Sequence, residues 1–92
     1  MKFIKLQHHN EIKKILLKKE DLSYEELYNM ILHSFFKSDY SKKLIIKYKD
    51  LENQEIVINN NQELGLALNL FYLQKFIKFI VYSSSIVSFC FF

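Results

Sequence analysis

The residues of this chain best placed to do chemistry are four carboxylates and three lysines. Asp50, Glu52 and Glu55 crowd the polar turn of the stretch Leu44–Leu68, and Glu63 follows at the start of the next apolar run. No histidine, glycine-rich loop or nucleophile accompanies them, so their pattern points to binding rather than catalysis. The lysines are Lys5, in the alternating Phe3-Ile4-Lys5, and the pair Lys13-Lys14 in Glu11-Ile12-Lys13-Lys14-Ile15. Carboxylates held on a rigid turn and cations held on strands are the two halves of an electrostatic docking surface.

Other candidates are weaker. His8 and His9 lie in a polar turn and His33 in a helical segment, whereas a metal site needs three or four converging ligands. Ser23 reads as a helix cap, and no Ser-His-Asp or Cys-His constellation is present. No catalytic group, metal, cofactor or small-molecule substrate is expected. The bland readings stand beside the functional ones. Lys5 can guard an edge strand, Asp50 and Glu52 can simply form a turn, and Glu63 can complement a helix N-terminus.

The elements that position these groups follow from periodicity. Phe3–Gln7 alternates as a strand, and Ile12–Leu17 reads as its hairpin partner. Adjacent strand residues point to opposite faces, so Lys13 and Lys14 divide between the two faces, and spacing alone does not choose which one joins Lys5. Ser23 with Glu26 three residues on is a capping box, opening a helix that turns Tyr24, Leu27, Ile31 and Phe35 inward. A polar connection, Phe36–Lys43, leads to a strand at Leu44–Tyr48 and its partner near Ile56–Ile58. Asn60 or Asn61 caps a second helix, with Glu63 in its first turn and Leu64, Leu68 and Phe71 inward. Phe76–Tyr82, with Lys78 inside it, closes the order β-β-α-β-β-α-β: an α+β fold with both helices on one face of the sheet.

Composition bounds the rest. Ninety-two residues make one domain, half of it apolar, with nine Phe and six Tyr to fill a core. The single cysteine, Cys90, excludes an intrachain disulfide and suits a reducing, intracellular compartment. The net charge of +3 is uneven: residues 1–47 hold ten lysines and six acids, a net +4, while residues 48–92 hold three lysines and four acids, a net −1. There is no arginine, which weakens any case for reading base edges.

Element order and motifs together resemble a PB1 domain, the ubiquitin-like β-grasp module whose members pair through oppositely charged faces. The family's acidic motif, Tyr-x-Asp-Glu-Asp-Gly-Asp, an alternating strand and then Ser-Asp-x-x-Leu, is matched by Tyr48-Lys49-Asp50-Leu51-Glu52-Asn53-Gln54, Glu55–Ile58 and Asn60–Leu64. Its basic face, a first-strand lysine and a second-strand basic pair, is matched by Lys5 and by Lys13-Lys14. Three stretches, Ile12–Ile15, Glu20–Leu27 and Ile46–Asp50, carry a closer similarity to self-assembling members.

The resemblance covers residues 2–82 and implies a mixed sheet of about five strands with two helices. It implies a cytoplasmic interaction domain and scaffold. The partner would be another PB1 domain, homotypic or heterotypic, engaged head-to-tail: Lys5, Lys13 and Lys14 meet an acidic loop, and Asp50, Glu52, Glu55 and Glu63 form the opposite face. Leu51 and Gln54 stand where acids are usual and Asn60 where an acid is common, so the acidic face is depleted. The alternatives are a small basic β-grasp nucleic-acid binder and a ubiquitin-like adaptor, the latter without the Gly-Gly terminus of a conjugated modifier.

Residues 83–92 form an apolar tail outside the resemblance. From Phe79 to the end is fourteen residues, short of the roughly 20 that span a bilayer. Extension of the last strand, cover for a sheet face, pairing with another chain and intron read-through all remain open. No secretory signal is expected at Met1–Leu6, and neither nucleic acid nor membrane is favoured as a partner.

Overall fold

A computed structural model of the chain describes residues 2–17, 22–70 and 76–85. Strand β1 (Lys2–His8) turns through His9 and Asn10 into β2 (Glu11–Leu17), and His9 takes the left-handed φ of 56° that so short a hairpin loop requires. Helix α1 (Tyr24–Phe36) starts as the capping box foresees. Ser23 Oγ accepts from the Glu26 N–H at 3.1 Å, and Glu26 Oε1 accepts from the Ser23 N–H at 3.1 Å. The helix ends at Lys37, whose φ of 52° lets its N–H reach back to the Leu32 carbonyl.

Strands β3 (Lys42–Lys49) and β4 (Glu55–Ile58) follow, then helix α2 (Asn61–Leu70) and strand β5 (Phe76–Ser85). The sheet order is β2-β1-β5-β3-β4, with β1 and β5 parallel and every other pair antiparallel. This is the expected ubiquitin-like α+β architecture: a five-strand mixed sheet and two helices, in the order β-β-α-β-β-α-β.

Alternation along the strands makes one core. Ile4 and Leu6 of β1, Leu44, Ile46 and Tyr48 of β3, Ile58 of β4, and Ile77, Phe79 and Val81 of β5 are buried against Leu27, Ile31 and Leu32 of α1 and Leu64 and Ala67 of α2. Both helices therefore cover the same sheet face. Tyr24 and Phe35, expected inward, pack against this core half-buried, while Leu32 is a core residue that the periodicity had not singled out. Phe71 lies outside the described residues. The Tyr28 hydroxyl accepts from the Leu44 N–H at 3.0 Å, which pins α1 to the start of β3.

Several boundaries move by one residue, since His8, expected in the turn, ends β1 and pairs with Glu11 at the start of β2, and two move further. The connection expected at Phe36–Lys43 is shorter, because Phe36 remains helical and Lys42 already pairs with Ser85. β5 correspondingly runs past Tyr82: Ser83, Ser84 and Ser85 pair with Leu44, Lys43 and Lys42, so the first three residues assigned to the tail extend the sheet. The rest of the tail, 86–92, lies outside the described residues, among which no helix is long and apolar enough to cross a membrane.

Candidate functional site

The sheet's second face, turned away from the helices, collects the basic residues. Lys5 is the direct partner of Lys14 on β2 and of Lys78 on β5. Directly opposed residues share a face, so three ammonium groups form one row across three adjacent strands. Lys14 Nζ lies 4.4 Å from the Phe3 ring centroid, a cation–π contact that steadies it on this face. Like charges directly opposed are destabilising. The row is thus an arrangement that an external anion relieves.

Lys13 turns the other way. Its alkyl stem passes toward α1, where Nζ donates to the Ser34 carbonyl and sits 5.1 Å from the Phe35 ring centroid. A cation near the last turn of a helix complements the carbonyl end of its dipole. The structure thus separates the lysine pair, joining Lys14 to Lys5 and committing Lys13 to the α1 terminus. Lys78 takes the vacated third place in the row. In the sequence Lys78 interrupts an apolar strand, and alternation with Ile77 and Phe79 puts it on the outer face.

The acidic groups gather at the other edge, around the β3–β4 turn and the start of α2, but they differ in what they are free to do. Asp50 Oδ1 accepts from the N–H groups of Glu52 and Gln54, both at 2.9 Å. The Asp50 carbonyl accepts from Asn53 at 3.0 Å, and Asn53 adopts a φ of 64° to close the turn. Asp50 is therefore the organiser of the loop as well as an acid on it. Glu52 projects from the loop into solvent, and its carboxylate makes no hydrogen bond or ion pair with any described residue.

Glu63 Oε1 accepts from the Asn59 N–H at 2.7 Å, while Asn60 Oδ1 accepts from the Glu63 N–H at 2.9 Å, a reciprocal cap on α2. The Tyr24 hydroxyl is pushed above its ordinary value, first by burial and then by its neighbours Tyr28 and Glu63. Glu55 stands apart from these acids on the outer sheet face. It accepts from the Tyr82 hydroxyl at 2.9 and 3.2 Å and lies 3.7 Å from Lys47 Nζ. That hydrogen bond is the main reason the Tyr82 hydroxyl is pushed up.

His8 and His9 are neighbours, 4.2 Å apart between ring centroids. His8 ends β1 against the rings of Phe35 and Phe36, at 5.7 and 4.8 Å between centroids, and His33 is exposed on α1. No group of three potential ligands occurs among the described residues. What the surface offers is a cationic row on β2, β1 and β5, and a mostly self-engaged anionic turn beyond β3.

Comparison with known proteins bears on the family and the fold. A family model described as PB1 domain matches residues 3–83. The solved structure of the AtNBR1-PB1 domain superposes with a TM-score of 0.74 at 16% identity, covering 90% of this chain and 97% of that one. A cryo-EM structure of the AtNBR1-PB1 filament (L-type) superposes with a TM-score of 0.75 at 17% identity and the same coverage. At such identities the likeness is one of fold. No curated protein matches the chain in sequence.

Proposed function

Since this chain belongs to the PB1 domain family, a family of non-catalytic protein-interaction domains, we propose that it joins another PB1 domain head-to-tail through two oppositely charged surfaces. The basic surface is Lys5 and Lys14; the acidic surface is the turn carrying Asp50 and Glu52 with Glu63 behind it. The observation that carries the reading is the position of the two sets. Lys5 and Lys14 are in register on one side of the sheet, and the Asp50–Gln54 turn hangs from β3 and β4 on the other. A contact between unlike surfaces need not close, so copies can chain.

Each exposed lysine–carboxylate pair contributes only about 0–1 kcal/mol, so several must act together. Their combined field governs encounter rate and register. Compact ammonium groups, unlike the planar fork of arginine, tolerate a range of partner geometries. The acidic surface is depleted and the basic one fuller, which favours a role in offering lysines to a more acidic partner in the cytoplasm. Self-assembly is the companion role. Ile12–Ile15, Glu20–Leu27 and Ile46–Asp50 are similar to the PB1 domain of the self-assembling protein TFG, and the AtNBR1 PB1 domain forms a filament.

Sedimentation velocity across concentration, at low and high salt, tests this. The Debye length shrinks from about 10 Å at 0.1 M to about 3 Å at 1 M, so oligomers held by these surfaces dissolve as salt rises. Lys14→Glu and Glu52→Lys are the matching variants, chosen because neither side chain holds the turn or a helix end. Each should abolish chains alone, and the two mixed should form a 1:1 pair. Oligomers indifferent to salt and to both variants would sink the reading.

A further inference from the structure

The exposed leucine at the tip of the acidic turn has no structural task. Leu51 is 79% exposed, more than any other large apolar residue among those described. Its turn is tied down on both sides of it by the bonds to Asp50, so the side chain is presented on a stiff frame. The carboxylates near it are partly engaged, Asp50 through Oδ1 with two backbone N–H groups and Glu63 through Oε1 with that of Asn59, though each keeps its charge and a second oxygen. Glu55 is held by Tyr82 and Lys47, leaving Glu52 as the acid without an internal partner.

The basic surface has an apolar component of its own. On β2, Ile12 and Leu16 sit two residues either side of Lys14 and therefore share its face, and they are 55% and 37% exposed. Apolar exposure on an edge strand is ordinarily avoided because it invites association. Each surface thus pairs charge with a bare hydrocarbon, in opposite charge sense: leucine between Asp50 and Glu52 on one, isoleucine and leucine astride a lysine on the other.

We infer that Leu51 is an apolar anchor for homotypic contact, seated on Ile12 and Leu16 of a second copy while Glu52 meets that copy's Lys14 row. The inference rests on the head-to-tail reading above. It makes the loss of an acid at position 51 an exchange of charge for burial: a small apolar centre ringed by charges, the usual anatomy of a protein interface.

The test uses full-length chains made unable to polymerise. A Lys14→Glu copy keeps an intact acidic surface beside an impaired basic one and a Glu52→Lys copy the reverse, so their mixture joins through the one contact intact on both sides, read by titration calorimetry. Leu51→Asp, added to the Lys14→Glu copy, separates the ideas sharply. A purely electrostatic contact gains an acid and tightens; an anchored contact weakens by about tenfold, as expected for losing the burial of one leucine side chain. Ile12→Ser in the other copy should weaken it similarly, and the two changes together should cost less than their product. Tighter or unchanged binding with Leu51→Asp overturns the anchor and leaves the charged surfaces standing. Absence of any pairing in the parent mixture overturns both.

Discussion

The side-chain oxygen of Asn61 accepts the backbone N–H of Tyr24 at 2.6 Å, tying the first residue of α2 to the first residue of α1. Its neighbour Asn60 caps α2 itself through Glu63. Two adjacent asparagines thus serve the N-termini of two different helices. Each supplies an acceptor to an N–H that the helix cannot satisfy internally.

Asn61→Ala should lower unfolding stability by about 1 kcal/mol, the usual loss for a helix-start acceptor, and Asn60→Ala by a similar amount. Urea melts give the size, and amide hydrogen exchange gives the location. Exchange should quicken at Tyr24 in the first variant and at Glu63 in the second. Loss of protection at the same amide in both would refute the division of labour.

Gly65 lies inside α2, and a Cβ added there meets nothing within 4 Å. Gly65→Ala should therefore stabilise the domain by about 0.5–1 kcal/mol, by limiting the freedom of the unfolded chain without any clash. A lower melting midpoint would mean that α2 packs otherwise around Gly65 than described.

Lys78 stands opposite Lys5 in the basic row. Lys78→Glu replaces a repulsion by an attraction, so the isolated domain should gain about 0.2–1 kcal/mol. Binding to the acidic turn of a Lys14→Glu copy should weaken by roughly tenfold if Lys78 belongs to the docking row, since one reversed charge then faces Glu52. Thermal melts and the same calorimetric titration read the two effects. Unchanged affinity would confine the docking surface to β1 and β2.

His8 is held below its ordinary value of 6.5, first by burial and then by His9, with Glu11 opposing. The folded chain thus binds this proton less readily than the unfolded chain. Stability contributed by neutral His8 is complete above the unfolded value and declines as pH falls below it, until the folded form also protonates. The urea midpoint should fall between about pH 7.5 and about pH 5, and His8→Gln should flatten that slope. Identical slopes in parent and variant would refute the assignment.

Much of the fold is legible in local pattern because local pattern is what builds it. The Ser23–Glu26 box lies within one helical turn, and alternation in Ile4-Lys5-Leu6 and Ile77-Lys78-Phe79 assigns faces by strand geometry alone. The Asp50–Gln54 turn is likewise a contact among near neighbours. Boundaries slipped where a partner decides them: β3 starts at Lys42 and β5 continues past Tyr82 to Ser85 because those residues find each other.

The charged site was only half readable for the same reason. Sequence by itself determined that Lys13 and Lys14 divide between two faces, that the turn carries acids, and that a leucine interrupts them. Only the tertiary structure decided which face looks outward, since that follows from where α1 lies: Lys13 is drawn to the Ser34 carbonyl at its end. The threading of β5 beside β1 brings Lys78, 73 residues further along, opposite Lys5. Chain folding likewise carries Glu55 to Tyr82 and away from the acidic turn. Periodicity specifies the direction of a side chain relative to its own backbone. What stands opposite it depends on strand order, which is set by the burial of the whole apolar core at once.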